Sequence, residues 1–261
     1  MTSTSTPGTT VSVTDTSENA VASGIKAETS ATYSVPSTIT RAEATAIGKQ
    51  SALSLGVFAQ SSSGNRLTVN LAPLDISSTA VTENGTSRSV GIYSDVNSSV
   101  SAHGGTIVSS AHSKNGIGEA FGAMSQNNSS VTLGADTIVA SSESSKHLSD
   151  PRSVGIYFSD NSTFNVTSNR IRVDVSATHN GDVFSRKVNG IYGDKNSTLT
   201  MNDADISVRE INSTPDKSGA AGIHLLTAST LAMKDASIRV AAVDHEGTFA
   251  GSAVGIVTSP T

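Results

Sequence analysis

Gly190-Ile191-Tyr192-Gly193-Asp194-Lys195-Asn196-Ser197-Thr198-Leu199-Thr200-Met201-Asn202-Asp203-Ala204-Asp205-Ile206-Ser207-Val208 contains three short β-type runs separated by turn residues. The arrangement recurs from Gly91, Gly122, Gly155 and Gly222. Nine places after the five glycines stand Val100, Val131, Phe164, Leu199 and Leu231; sixteen places after them stand Ile107, Ile138, Ile171, Ile206 and Ile238. The glycines are 31, 33, 35 and 32 residues apart, so each change of length falls after the isoleucine. A constant segment with one variable insertion per unit marks a stacked repeat.

The period extends outward. Gly255 opens a further copy, while Leu55-Gly56-Val57-Phe58 and Gly24-Ile25 head two earlier copies whose second runs are displaced. Residues 1–20 are rich in Ser and Thr, with Val11 and Val13 as a weak alternating pair. They read as a loose tail or a ragged first strand, and residues 21–261 as one repeat domain.

Within a unit the apolar residues alternate. Phe164 and Val166, then Ile171, Val173 and Val175, share a parity, with Asn165, Arg172 and Asp174 between them. One face is therefore buried and one is wet. Three such runs in about 33 residues are too short to pair locally, but each can pair with its copy in the next unit. The predicted fold is all-β, a right-handed parallel β-helix of seven to eight coils, each about 4.8 Å from the next. Ile107, Ile138, Ile171, Ile206 and Ile238 are expected one above another. Asn97, Asn128, Asn161 and Asn196 are expected at a corner, stacked as a side-chain ladder that Ala228 interrupts.

Composition agrees. Leu, Ile, Val and Phe make up only 57 of 261 residues, which suits a narrow interior better than a thick globular one. The net charge of −5 is too small to drive disorder by repulsion. The chain has no Cys, which excludes disulfides and thiolate chemistry, and no apolar run reaches the length of a membrane-spanning helix. Scattered Lys and Arg in a mildly acidic chain give no reason to propose nucleic acid as a partner.

Motifs for chemistry are weak. His103, His112, His147, His179, His224 and His245 form no pair at metal-ligand spacing and read as solvated residues, four of them in insertions. Asp203 and Asp205 would share a strand face, as a cation site requires, but an acid recurs at Asp136, Asp203 and Asp235, which a turn preference also explains. No Gly-x-Ser-x-Gly elbow exists for a serine nucleophile, and Gly116-Ile117-Gly118 lacks a third glycine. No cofactor and no catalytic residue is expected.

The units Val188–Tyr192, Asn196–Met201 and Ala204–Val208 resemble coils of the pertactin-like passenger domains of Gram-negative autotransporters, from residue 50 to the end and more faintly from residue 21. The resemblance implies a segment of a longer protein displayed at the bacterial cell surface by a membrane β-barrel, acting as stalk, adhesin or aggregation scaffold. Met1–Gly8 lacks the basic and apolar regions of a signal peptide, and no barrel follows, so a fragment of a passenger is expected. The implied partners are a host-cell, matrix or glycan ligand, or a second copy. The alternatives are a carbohydrate-active β-helix enzyme of the pectate-lyase or polygalacturonase kind, which needs acids and bases converging on adjacent coils, and an inert spacer.

Charge concentrates in the insertions, which occur at one phase of the repeat. A binding edge is therefore expected along residues 109–119, 141–152, 176–187 and 209–219, carrying Lys146, His147, Arg152, Phe184, Arg186, Lys187, Arg209 and Lys217.

Overall fold

The computed structural model describes residues 9–29, 31–62, 65–144, 152–179, 188–212, 218–244, 247–248 and 251–258. The strands are β1 (Thr9–Asp15), β2 (Asn19–Ala27), β3 (Thr32–Val35), β4 (Ile39–Gly48), β5 (Ser51–Gln60), β6 (Leu67–Leu71) and β7 (Asp75–Asp95). There follow β8 (Ser98–Ala102), β9 (Thr106–Ser125), β10 (Ser130–Leu133), β11 (Thr137–Ser144), β12 (Arg152–Phe158), β13 (Thr163–Val166) and β14 (Arg170–His179). The last are β15 (Val188–Gly193), β16 (Thr198–Asn212), β17 (Ser218–Leu225), β18 (Thr230–Val243) and β19 (Gly251–Thr258). All pair in parallel, each with its counterparts one coil away, in a right-handed β-helix of about seven turns.

Each turn has three faces. A glycine face runs through β2, β5, the second halves of β7 and β9, and β12, β15, β17 and β19. A short face runs through β3, β6, β8, β10, β13 and the first residues of β16 and β18. An isoleucine face runs through β1, β4, the first halves of β7 and β9, β11, β14 and the rest of β16 and β18. The N-terminal units fall into the same columns: in the Gly56 unit the extra residues lie between β5 and β6, and Ile76 still pairs with Ile107. The second run of the Gly24 unit is not displaced as expected, since it is β3, with Tyr33 nine places after the glycine and beside Val69, and Ile39 belongs to β4.

The short-face column is the predicted one, Val100, Val131, Phe164, Leu199 and Leu231. The isoleucine column differs at one rung. It runs Ile76, Ile107, Ile138, Val173, Ile206, Ile238, while Ile171 pairs with Ala204. From Phe164 to Val173 is nine residues, whereas Val131 to Ile138 and Leu199 to Ile206 are seven, so two extra residues enter the turn between β13 and β14. An even insertion leaves side-chain parity unchanged. Ile171 therefore stays inward and fully buried, one rung away from its expected place.

The glycine and the isoleucine recur together because they touch. A Cβ added to Gly122 would stand 2.1 Å from Cγ2 of Ile138 and 2.7 Å from the carbonyl oxygen of Gly155 in the next coil. Gly91, Gly190 and Gly222 face Ile107, Ile206 and Ile238 in the same way, and Gly155 faces Val173. The two faces pinch at this point, with no room for a side chain on the glycine strand.

The pinch divides the interior. On one side lies the broad core of Leu, Ile, Val and Phe, including Leu67, Ile92, Leu133, Phe158, Phe164 and Ile171. On the other, a thin seam between the glycine and isoleucine faces holds Ala20, Ala22, Ala44, Ala46, Ala52 and Ala80. A serine staircase crosses this seam. Ser78 Oγ lies 2.8 Å from the Ser54 carbonyl and 2.9 Å from its Oγ, and Ser89 on Ser78 and Ser109 on Ser89 repeat both distances. Small residues let two sheets approach closely, and the hydroxyls satisfy one another where water is excluded. Much of the chain's serine thus serves the interior rather than turns.

The corner after the glycine face is held by paired left-handed residues: Val96 and Asn97, Asn127 and Asn128, Asp160 and Asn161, Lys195 and Asn196, Thr227 and Ala228. The expected asparagine ladder runs through the main chain. The Asn97, Asn128, Asn161 and Asn196 amides donate to the carbonyls of Asn127, Asp160, Lys195 and Thr227. Ala228 has φ 54° without the local polar compensation of asparagine. Ala228→Asn is expected to stabilise the fold by about 0.5–1 kcal/mol, read as a higher urea midpoint; an unchanged or lower midpoint contradicts this account of the corner.

Candidate functional site at the loop edge and the faces beside it

The chain passes from the isoleucine face to the glycine face at one edge. In β7 and β9 it does so without leaving the strand, since Asn84-Gly85 stacks on Asn115-Gly116 and a Cβ on Gly116 would stand 1.8 Å from the Gly85 carbonyl. Residues 109–119 are therefore strand and not an insertion, a correction to the expected binding edge. In the next three coils residues 145–151, 180–187 and 213–217 interrupt the passage. Their roots are in register: Ser144 beside His179 beside Asn212 on one side, Ser153 beside Val188 beside Ala220 on the other. The three insertions leave and rejoin the rod along a single edge.

Of the predicted binding residues, Lys146, His147, Phe184, Arg186, Lys187 and Lys217 lie outside the described residues. Arg152 and Arg209 are placed, on different faces. The half-buried Arg152 guanidinium stands 5.5, 5.4 and 5.6 Å from the ring centroids of Phe121, Tyr157 and Tyr192. These rings belong to an aromatic stripe outside the glycine face, where Phe58 meets Tyr93, Tyr157 stacks on Tyr192 at 5.3 Å, and Tyr192 meets His224. Ser89 points into the seam, so its neighbour Val90 points out; with Leu55, Phe121 and Val154 it floors the stripe. The rings largely cover one another's faces, and Arg152 anchors the end of an insertion to them by cation–π contact.

Beneath the edge lies a polar group that the sequence does not announce. His179 Nε2 is 2.7 Å from Glu210 Oε1, and both side chains are fully buried. The other carboxylate oxygen, Oε2, accepts from the Gly219 amide at 2.5 Å. His179 is thus no solvated loop residue. His112 is on a strand as well, exposed and 2.9 Å from Glu143. Glu210 ties the residue before one insertion to a residue just after the next. Thirty-one residues separate the two partners, and nothing local in either segment signals the contact.

The outer side of the isoleucine face is densely charged, which corrects the expectation that charge concentrates in the insertions. Register sets Arg170 beside Asp203 beside Asp235, Arg172 beside Asp205 beside Ser237, and Asp174 beside Ser207 beside Arg239. Arg170 grips Asp205 with two bonds of 2.6 Å, and Arg172 pairs with Asp174 at 2.6 Å. Hydrogen bonding from Arg170 holds the Asp205 carboxyl below its usual range, so this pair persists until the pH falls through that lowered value. Asp203 and Asp205 do share a face, but Asp205 is committed to an arginine. Among the described residues no group of three His, Asp or Glu is set to hold a metal ion.

No family model, curated protein or solved structure significantly matches this chain.

Proposed function

We propose that this chain is a non-catalytic segment of an extracellular surface protein, built like an autotransporter passenger of a Gram-negative bacterium, and that it presents a binding edge on a rigid rod. The observation that carries the reading is the register of the three insertion roots, which repeats one surface feature at the spacing of the coils. Loops on a stacked scaffold are where repeat proteins bind, and their length changes at small cost to the fold. The partner is a host-cell, matrix or glycan ligand, or a second copy.

The test is to replace residues 145–151, 180–187 and 213–217 by short Gly-Ser turns and display parent and variant on cells at matched levels. The β-rich circular dichroism spectrum is expected to persist while adhesion or clumping falls severalfold. Adhesion that survives all three replacements sinks the edge reading.

A polysaccharide-cleaving enzyme is the second reading, because Asp203, Asp205 and Asp235 converge with Arg170, Arg172 and Arg239 on adjacent coils. Hydrogen bonding from Arg170 keeps Asp205 ionised to below the usual carboxylate range, which argues against its serving as a proton donor near neutral pH. Release of new reducing ends from an acidic polysaccharide would favour this reading over the first.

A further inference from the structure

We infer that the charged outer surface of the isoleucine face, across β14, β16 and β18, is a binding site for a carboxylated sugar of an acidic polysaccharide. Arg239 and Arg209 would take the carboxylate, and Asp174, Asp205, Ser207 and Ser237 the hydroxyls.

Arg170, Arg172, Asp174, Asp205, Ile206, Ser207, Ser237 and Arg239 line an open depression of ≈ 390 Å³. That is the scale of a site for a small ligand, one or two sugar rings. Apart from Ile206 the wall is charged or hydroxylic. An apolar peptide or a lipid chain finds nothing to bury there, whereas a hydroxyl-rich ring finds donors and acceptors. The charge also begins abruptly. The two preceding coils present Thr106, Val108 and Ser110, then Thr137, Val139 and Ser141, at the outward positions now held by Arg172, Asp174 and Ser176.

Within the patch the roles divide. Arg170 is held by Asp205 and Arg172 by Asp174, so these four side chains are oriented in advance. Arg239 and Arg209 are exposed, and neither forms an ion pair with a described residue. They lie on neighbouring coils, Arg239 beside Ser207 and Arg209 two residues further along. Two arginines at that diagonal spacing, roughly 7–8 Å, can close on one carboxylate, whose planar geometry matches a guanidinium fork.

The acids select among anions. A densely sulfated or phosphorylated polymer would meet repulsion from Asp174, Asp205, Asp203 and Asp235 and from a chain of net charge −5. One negative charge per sugar satisfies the arginines and leaves the aspartates to accept from hydroxyls. This site is on a coil face and does not depend on the insertions.

The test immobilises polygalacturonate, hyaluronate and polysialic acid, with fully methyl-esterified pectin and dextran sulfate as controls, and measures retention of the whole chain at physiological salt. At least one carboxylated polymer is expected to bind, the esterified polymer not at all, and dextran sulfate more weakly. Arg239→Ala and Arg209→Ala should each weaken binding roughly tenfold or more, as loss of a bond to a charged group implies. Arg41→Ala, on a distant coil, should not, and circular dichroism should be unchanged throughout. Binding should survive replacement of the insertions, which separates this site from the edge reading. Failure of all three carboxylated polymers to bind, equal retention on dextran sulfate, or an Arg209→Ala/Arg239→Ala double variant that binds like the parent overturns the inference.

Discussion

Ile171→Asp is expected to cost more than about 4 kcal/mol and to leave the chain without a cooperative β-sheet melting transition, because a carboxylate would lie in a dry interior with no cation to meet it. Ile171 is fully exposed to other side chains and not to solvent: its neighbours are core residues, with Ala204 on the next coil. A loss of that size is a large part of the 5–15 kcal/mol that typically holds a folded domain together. In a stacked rod the damage also divides the coils on either side, since each coil is supported by its neighbours. The adjacent residue is the control. Arg172 has a side chain 67 % exposed and only a surface ion pair to Asp174, so Arg172→Ser should change stability by about 0.5 kcal/mol or less. Ile171→Val, which keeps the branched shape, should cost about 0.5–1.5 kcal/mol. Urea titration followed by circular dichroism measures all three. Equal midpoints for Ile171→Asp and Arg172→Ser would mean that the inward and outward sides of β14 are exchanged.

The second large effect is expected at Glu210. Its two oxygens serve His179 Nε2 and the Gly219 amide, both inside the rod. Glu210→Ala leaves the buried His179 ring and the Gly219 amide without their shared acceptor and should destabilise the fold by about 3–5 kcal/mol, since each orphaned buried polar group costs about 1–3 kcal/mol. Glu210→Gln keeps the shape. Its amide oxygen can accept from Gly219, and its amide nitrogen can donate to His179 in the other tautomer, so a cost of about 1–2 kcal/mol is expected. The ordering Ala, then Gln, then parent is the informative outcome. If Glu210→Ala melts with the parent, the pair does not hold the roots of the insertions together.

The sequence by itself determined the period, the three faces and the inward parity of nearly every strand. These follow from local alternation and from spacings that survive changes in loop length. It also paired Gly91, Gly122, Gly190 and Gly222 with the isoleucines they meet, although Gly155 meets Val173 and only the pinch between the faces explains why the pairs recur. The slip at Ile171 was not legible. Two added residues preserve parity, so the run reads the same before and after the shift, and only pairing with Ala204 and Ile206 in the next coil sets the rung. The serine staircase was hidden for a related reason: each hydroxyl finds its acceptor across the seam, ten to twenty-four residues away. The bonds between His179 and Glu210 and between Arg170 and Asp205 likewise join side chains a coil apart. Local pattern says which way a side chain points, while coil-to-coil register decides what it meets there, and in a β-helix that register exists only once the turns are stacked.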